Sequence, residues 1–373
     1  MTPLAEELAE LIRLEGPISV SRYMALCLGH PRHGYYIKQD PFGAGGDFTT
    51  APEISQIFGE LIGVWAASVW QAMGAPASLR LVELGPGRGT LMQDMLRAGR
   101  ALPGFREAMS VHLVETSPAL RERQAQVLSS AGIVPRWHER IEESLEGPAI
   151  VVANEFLDAL PVDQFVRTAN GWRERLIGLD GDGALAFGLA SEDAALSFGS
   201  AGDRPDDAAP LGSVLEQPIA ALEAVGSVAR HLATEGGAAL FVDYGAVRSG
   251  LGDTLQAMRR HAFVAVLDEP GEADLTVHVD FARMAQAALG GGAAVHGPAT
   301  QRDFLVALGL PQRLEALSRR ATPAQAETLV GGAARLVESG ATGMGELFKV
   351  IGVAHPSLPL LPGFDLHRLP GHG

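Results

Sequence analysis

Cysteine is almost missing from this 373-residue chain, where Cys27 stands alone. That excludes a disulfide framework and any zinc site built on cysteines. Long apolar runs are missing too. No segment reaches the roughly 18 consecutive apolar residues of a membrane-spanning helix, so no membrane span is expected. Cations are scarce, with 29 Lys and Arg against 44 Asp and Glu and a formal net charge of −15. Bulk electrostatics therefore argue against nucleic acid as a partner and are compatible with a basic one. The sequence has no Walker loop, no His-Glu-x-x-His helix and no Ser/His/Asp triad motif, and no metal centre is expected. Pro3, Glu6, Glu7 and Glu10 lie among leucines at the start. That composition fits neither a signal peptide nor an Arg-rich transit peptide and predicts a cytoplasmic protein. Hydrophobic residues, at 47%, suffice for a sizeable core.

What is present is a rhythm of helices and strands. Leu4, Leu8, Leu11 and Leu14 form a helical stripe that Gly16-Pro17 ends, and Ser19–Leu28 reads as a second helix. Residues 30–50 look loop-like. Thr50 followed by Pro52 and Glu53 predicts a helix start, with one buried helix running to about Met73. From residue 79 strands and helices alternate. Strands are expected at Leu79–Leu84, Val111–Glu115, 132–137, Ala149–Ala153 and Ala238–Asp243, with helices after Thr90 and Ser117-Pro118. This pattern predicts a parallel, doubly wound α/β sheet.

Residues 164–190 interrupt it with hairpins, read as carrying Asn170-Gly171 and Asp182-Gly183 turns. Residues 191–212 read as a mobile loop, 214–234 as a helix and 245–275 as mostly loop. A helix is expected after Asp280, with short strands near 293–297 and 346–353. One elaborated domain results. It divides into an N-terminal helical cap and lid (1–78), the first part of the core (79–163), an insertion (164–235) and the second part of the core with helical additions (236–373).

The most informative stretch is Glu83-Leu84-Gly85-Pro86-Gly87-Arg88-Gly89-Thr90, where an apolar strand enters a glycine cluster and then a helix. Glycines at 85, 87 and 89 allow positive φ and close ligand approach, and the following amides point at the ligand from a helix N-terminus. A dinucleotide fingerprint requires Gly-x-Gly-x-x-Gly. Here the third glycine comes one residue early, and Glu83 would repel a pyrophosphate. Gly-x-Gly-x-Gly after an acid is instead the S-adenosylmethionine loop of class I methyltransferases. Pro86 and Thr90 fall within the same candidate cofactor loop.

In an open parallel sheet, ligands gather at the carboxyl ends of the strands. Glu115, closing the second strand, suits the two ribose hydroxyls, with Thr116 beside it. Trp137 stands where an adenine ring would be flanked. Asn154 is placed near the sulfonium and methyl group. Glu155 and Asp158, after a buried strand, suit a guanidinium, whose planar fork pairs with carboxylates. Asp47, Thr49, Thr50 and Glu53 are candidate lid or acceptor-side residues, as is Asp243 at a strand end. His278 is a candidate proton acceptor or orienter, read against a purely structural role.

With these residues named, the chain closely resembles the MidA-like family of methyltransferases. The resemblance rests on Gly46-Asp47-Phe48-Thr49-Thr50-Ala51-Pro52-Glu53-Ile54-Ser55-Gln56, the glycine loop above, and Ala153-Asn154-Glu155-Phe156-Leu157-Asp158-Ala159-Leu160-Pro161. It extends to Asp243-Tyr244-Gly245, Ala273-Asp274-Leu275-Thr276-Val277-His278-Val279-Asp280-Phe281 and Met344-Gly345-Glu346-Leu347-Phe348-Lys349-Val350. The resemblance implies a Rossmann-like, seven-strand class I methyltransferase core using S-adenosylmethionine. It also implies ω-N-methylation of a protein arginine, with a respiratory complex I subunit as partner and a link to complex I assembly. Two alternatives stand beside it: another methyl acceptor, or a cofactor-binding assembly chaperone with little turnover.

Overall fold

The computed structural model describes residues 2–38, 50–192, 209–340 and 343–365. Its centre is a sheet of seven strands: β1 (Leu79–Leu84), β2 (Met109–Val114), β3 (Arg136–His138), β4 (Ala149–Asn154), β5 (Gly237–Ala246), β6 (Ala294–Thr300) and β7 (Phe348–Ala354). They lie in the order β6-β7-β5-β4-β1-β2-β3, and a short strand, Val279–Asp280, pairs with the end of β5. The sheet is not purely parallel. β7 runs antiparallel to both its neighbours, β5 and β6.

The strands alternate as period-two pleating requires. Leu79 and Leu81 of β1, with Ile150 and Val152 of β4, enter one core with Ile57, Phe58, Leu61 and Trp65 of the helix Gln56–Ala72. Val82, Leu84, Val151 and Ala153 enter the opposite core, with Val225, Val228 and Leu232 of the helix Ile219–Glu235. Burial on both faces explains why β4 reads as an unbroken apolar run.

The chain runs outward from β1 to β3, then returns to the other side of β1 as β4, pairing Leu84 with Ala153. The strand order therefore reverses between β1 and β4, which is where open α/β sheets bind ligands. The glycine turn and Asn154-Glu155 leave the sheet side by side at this point.

Several local expectations change. The single helix expected from Thr50 to Met73 is two, Ala51–Ile54 and Gln56–Ala72. Ser55 between them is extended, and its hydroxyl accepts the Ile57 amide, restarting the helix at an N-cap. The strand expected over 132–137 is Arg136–His138. The helix expected from 214 begins at Ile219, because Val214–Gln217 is a strand that Pro218 ends. In the first hairpin Thr168 pairs with Gly171, so the two loop residues are Ala169 and Asn170. Gly171 is the first strand residue rather than part of an Asn-Gly turn.

The hairpin strands form a five-stranded sheet completed by Ile18–Ser19 from the N-terminal region. The stretch 245–275 is not mostly loop. Gln256–Arg259, Ala262–Val264 and Asp274–Thr276 make a three-stranded sheet. Its inward Ala257 and Leu275 pack with Leu4, Leu8, Tyr23 and Met24 of the N-terminal helices. Most of the loop expected over 191–212 lies outside the described residues.

Candidate active site

The turn after β1 has the conformation its sequence requires. Gly85, Gly87 and Gly89 have φ of 62°, 51° and 84°, values that L side chains rarely adopt. A Cβ on Gly85 would stand 2.9 Å from Phe156 Cδ2. Gly89 then caps the helix Thr90–Gly99 in the left-handed conformation. Gln124 holds the turn from outside. Its side-chain amide donates to the Gly87 carbonyl at 2.7 Å and to Glu115 Oε2 at 3.2 Å, and accepts from Trp137 Nε1 at 2.8 Å.

Two cavities meet at this turn. The larger, about 510 Å³, falls within the range of small-molecule sites. It is lined by Gly85, Gly87, Glu115, Thr116, Leu120, Ile141 and Glu155, and by Tyr36 and Leu28 of the N-terminal helices. The smaller is lined by Thr50, Glu53, Glu83, Pro86, Thr90 and Asn154, and shares Gly85, Gly87 and Glu155 with the first.

Two buried oxygens at the smaller cavity, Glu83 Oε2 and Asn154 Oδ1, have no hydrogen-bond partner. Burial pushes the Glu83 carboxyl well above the usual carboxylate range, against the opposing pull of the Met92 amide. Unpaired buried acceptors are costly, and an ammonium would satisfy both. In the larger cavity Glu115 Oε1 accepts the Ser117 amide at 2.8 Å, which aims the carboxylate. Burial raises its pKa, and the bonds from Ser117 and Gln124 oppose the rise. The donors and acceptors therefore fit S-adenosylmethionine. The larger cavity would hold its nucleoside through Glu115 and Thr116, and the smaller its amino-acid end through Glu83 and Asn154.

Where the cavities join stands Glu155. Its φ is +50°, a strained value for a non-glycine residue. The surroundings hold it there. The Glu155 amide donates to the Val242 carbonyl at 2.9 Å. Asp243 Oδ2 accepts the amides of Phe156, Leu157 and Asp158 at 2.9–3.2 Å, and Oδ1 accepts that of Tyr244 at 3.0 Å. Asp243 is thus the buried clamp of the 155–158 turn, and it lines neither cavity.

Glu155 Oε1 accepts the Ala51 amide at 3.2 Å and Asn154 Nδ2 at 3.0 Å. Burial and the nearby Asp158 push the Glu155 carboxyl up to about 8, against those two bonds. Burial raises Asp158 to about 6, opposed by a bond from Tyr244. A buried patch with several carboxylates favours a cationic ligand.

The remaining sequence candidates fall as follows. Glu53 ties the helix Ala51–Ile54 to the glycine loop, accepting the Thr90 hydroxyl at 2.5 Å. Thr50 is buried and lines the smaller cavity. Asp47 and Thr49 lie outside the described residues. Trp137 does not line the cavity. It packs against the core and holds Gln124, and Ile141 lines the cavity instead. His278 is exposed and borders neither cavity, with its ring edge-on to Tyr244 at 5.5 Å.

Gln124 and Tyr36 were not singled out from the sequence, and no local pattern marks them; Tyr244 and Asp274 fall within the family motifs but were given no role of their own. Glu7, His30 and His33 also come together. His30 Nδ1 accepts the His33 amide at 3.2 Å, so its Nε2 carries the proton and donates to Glu7 Oε2 at 3.1 Å. That is a hydrogen-bonded cluster rather than an open ligand set.

Comparison with known proteins gives the same fold and cofactor class. The family model for S-adenosyl-L-methionine-dependent methyltransferases matches residues 61–299. The mitochondrial protein arginine methyltransferase NDUFAF7 of Danio rerio is 38% identical, covering 94% of this chain and 86% of its own. The Homo sapiens protein of the same name is 36% identical, covering 85% and 76%. A crystal structure of a Burkholderia thailandensis protein bound to S-adenosyl-homocysteine superposes with a TM-score of 0.82 at 30% identity, covering 97% and 94%. The relatives' mitochondrial names overturn the cytoplasmic location expected from the sequence. The acidic, leucine-striped start that suggested it is a structural helix, Pro3–Glu15, with Leu4, Leu8 and Ile12 buried. Its composition reports packing, not address.

Proposed function

We propose that this chain, which belongs to the family of S-adenosyl-L-methionine-dependent methyltransferases, methylates an ω-nitrogen of arginine in a protein partner. The observation that carries the arginine reading is the Glu155 carboxylate, held at the junction of the two cavities with Asp158 close behind it. The arginine methyltransferase names of the relatives support it. Within this reading the partner is a subunit of respiratory complex I, as the family resemblance implies.

S-adenosylmethionine supplies an electrophilic methyl group on a sulfonium. The chain's own residues bind, orient and desolvate. Glu155 pairs with one edge of the acceptor guanidinium and so turns one nitrogen toward the cavity junction. Asn154 Nδ2 and the Ala51 amide fix the carboxylate's rotamer through Oε1. Asp158 adds negative charge behind it, which favours the cation and opposes its early loss of a proton. Asp243 holds the turn that carries Glu155 and Asp158.

Two tests address the cofactor side. Glu115→Ala weakens S-adenosyl-homocysteine binding by about 1–3 kcal/mol, the range for losing hydrogen bonds to a charged group. Calorimetry showing unchanged affinity removes Glu115 from the nucleoside site. Second, of the 46–56 segment read as a lid, residues 46–49 lie outside the described residues; Thr50 to Gln56, which touches both Glu155 and Thr90, acts as one. Hydrogen exchange should show protection rising across this segment, together with the glycine loop, when S-adenosyl-homocysteine binds. Protection confined to the glycine loop contradicts the lid.

A further inference from the structure

Part of the larger cavity's wall comes from the N-terminal helices, whose Leu28, Tyr36 and Ile37 share it with Glu155 and the glycine turn. Tyr36 is the aromatic residue among them, and it is firmly held. It stands on the short helix Tyr35–Lys38, edge-on to the fully buried Tyr35, with ring centroids 5.2 Å apart. Its hydroxyl donates to Asp274 Oδ1 at 2.8 Å, and Asp274 is itself buried on the strand Asp274–Thr276. Burial and the Asp274 charge push the Tyr36 phenol well above its usual range, so it stays a donor.

Asp274 ties Tyr36 to the turn that carries Glu155. Three residues beyond Asp274 the Val277 amide donates to the Asp158 carbonyl at 3.0 Å, and Tyr36 and Glu155 line the same cavity, which sets Tyr36 toward its Glu155 end. The nucleoside end is served by Glu115 and Thr116. An aromatic ring beside a carboxylate suits one ligand class well. A guanidinium is planar and weakly hydrated, stacks on an aromatic face and donates from its edge. An ammonium has no such plane.

We propose that Tyr36 is an acceptor-binding residue, its ring stacking on the guanidinium whose edge pairs with Glu155, and that Asp274 is a positioning residue acting through the Tyr36 hydroxyl. This rests on the arginine reading above. The N-terminal region thereby becomes part of the acceptor site rather than a cap over a finished one.

The test compares wild type with Tyr36→Ala, Tyr36→Phe, Asp274→Asn and the Phe/Asn double variant. S-adenosyl-homocysteine affinity is measured by calorimetry. Methyl transfer is measured with radioactive-methyl S-adenosylmethionine on the protein fraction of a lysate from cells lacking the gene, over a dilution series. Tyr36→Ala should retain S-adenosyl-homocysteine binding and lose transfer on the order of 10-fold at limiting acceptor, with less loss at high acceptor. Tyr36→Phe keeps the stacking ring and loses only the hydroxyl that positions it, so it should lose about 3-fold. Asp274→Asn should match it, and the double variant should be no worse than either.

Unchanged transfer in Tyr36→Ala, or a parallel loss of S-adenosyl-homocysteine affinity, overturns the assignment. Multiplying effects of Tyr36→Phe and Asp274→Asn overturn the action of Asp274 through Tyr36. Hydrolysis of the labelled protein separates this proposal from the reading beneath it. Methylarginine with an unaffected Tyr36→Ala variant sinks the Tyr36 role alone, whereas label on another residue type sinks both.

Discussion

Glu155→Gln lowers methyl transfer by on the order of 100-fold while leaving S-adenosyl-homocysteine affinity within a few-fold, the scale of losing one preorganised electrostatic contact. Glutamine keeps the shape and can still accept the Ala51 amide, so the fold of the turn is retained. What disappears is the negative charge at the cavity junction. The variant must be compared with wild type on the same protein acceptor. Near-wild-type turnover would remove Glu155 from the mechanism.

The pH profile gives an independent reading of the same residue. Burial and Asp158 raise the Glu155 carboxyl to about 8. Below that pH the free enzyme holds the group protonated, and a neutral carboxyl cannot pair with a guanidinium as an anion. kcat/KM should therefore rise with pH through about 8 and level off above it. Glu155→Gln should abolish that limb. A flat wild-type profile across this range contradicts the assignment of the charge to Glu155.

Gly87→Val abolishes cofactor binding. Gly87 has a φ of 51°, and a β-branched residue there is strained before any ligand is considered. The added side chain would also sit at a position that lines both cavities. The Gly87 carbonyl accepts from Gln124 Nε2 at 2.7 Å, so a shifted turn disturbs the residue that also holds Glu115. Calorimetry should show no heat of S-adenosyl-homocysteine binding at concentrations that saturate wild type. A thermal melt close to wild type would confirm that the loss is local. Retained binding in a folded variant contradicts the placement of the cofactor over this turn.

The sequence revealed those features whose signal is local. The glycine spacing with Glu83 before it separated one cofactor class from another, because a turn's φ requirements are written in consecutive residues. The apolar run of β4 ending at Asn154-Glu155 was legible for the same reason, since a polar pair after a doubly buried strand stands out. Asp243 shows the limit. As a strand-end acid it looked able to face substrate, yet its partners are the backbone amides of Phe156, Leu157 and Asp158, 85 to 87 positions earlier. Nothing in the neighbourhood of Asp243 records that.

Gln124 was invisible on similar grounds, being one polar residue on a helix that happens to reach the glycine turn. Tyr36 is brought to the cavity by contacts with Asp274, 238 positions away. The three-stranded sheet within 256–276 was missed because its strands are only three or four residues long, too short for alternation to show. The reversal of β7 could not be read from its residues, since a buried strand has the same apolar pattern in either direction.

The most direct test of arginine methylation is the identity of the methylated residue. Purified protein and radioactive-methyl S-adenosylmethionine are incubated with lysate from cells lacking the gene. The labelled protein is then isolated and hydrolysed to amino acids. The account predicts that the label elutes as ω-N-methylarginine and that Glu155→Gln nearly eliminates it. Label recovered as methyl-lysine or as a methyl ester of a carboxylate would contradict it.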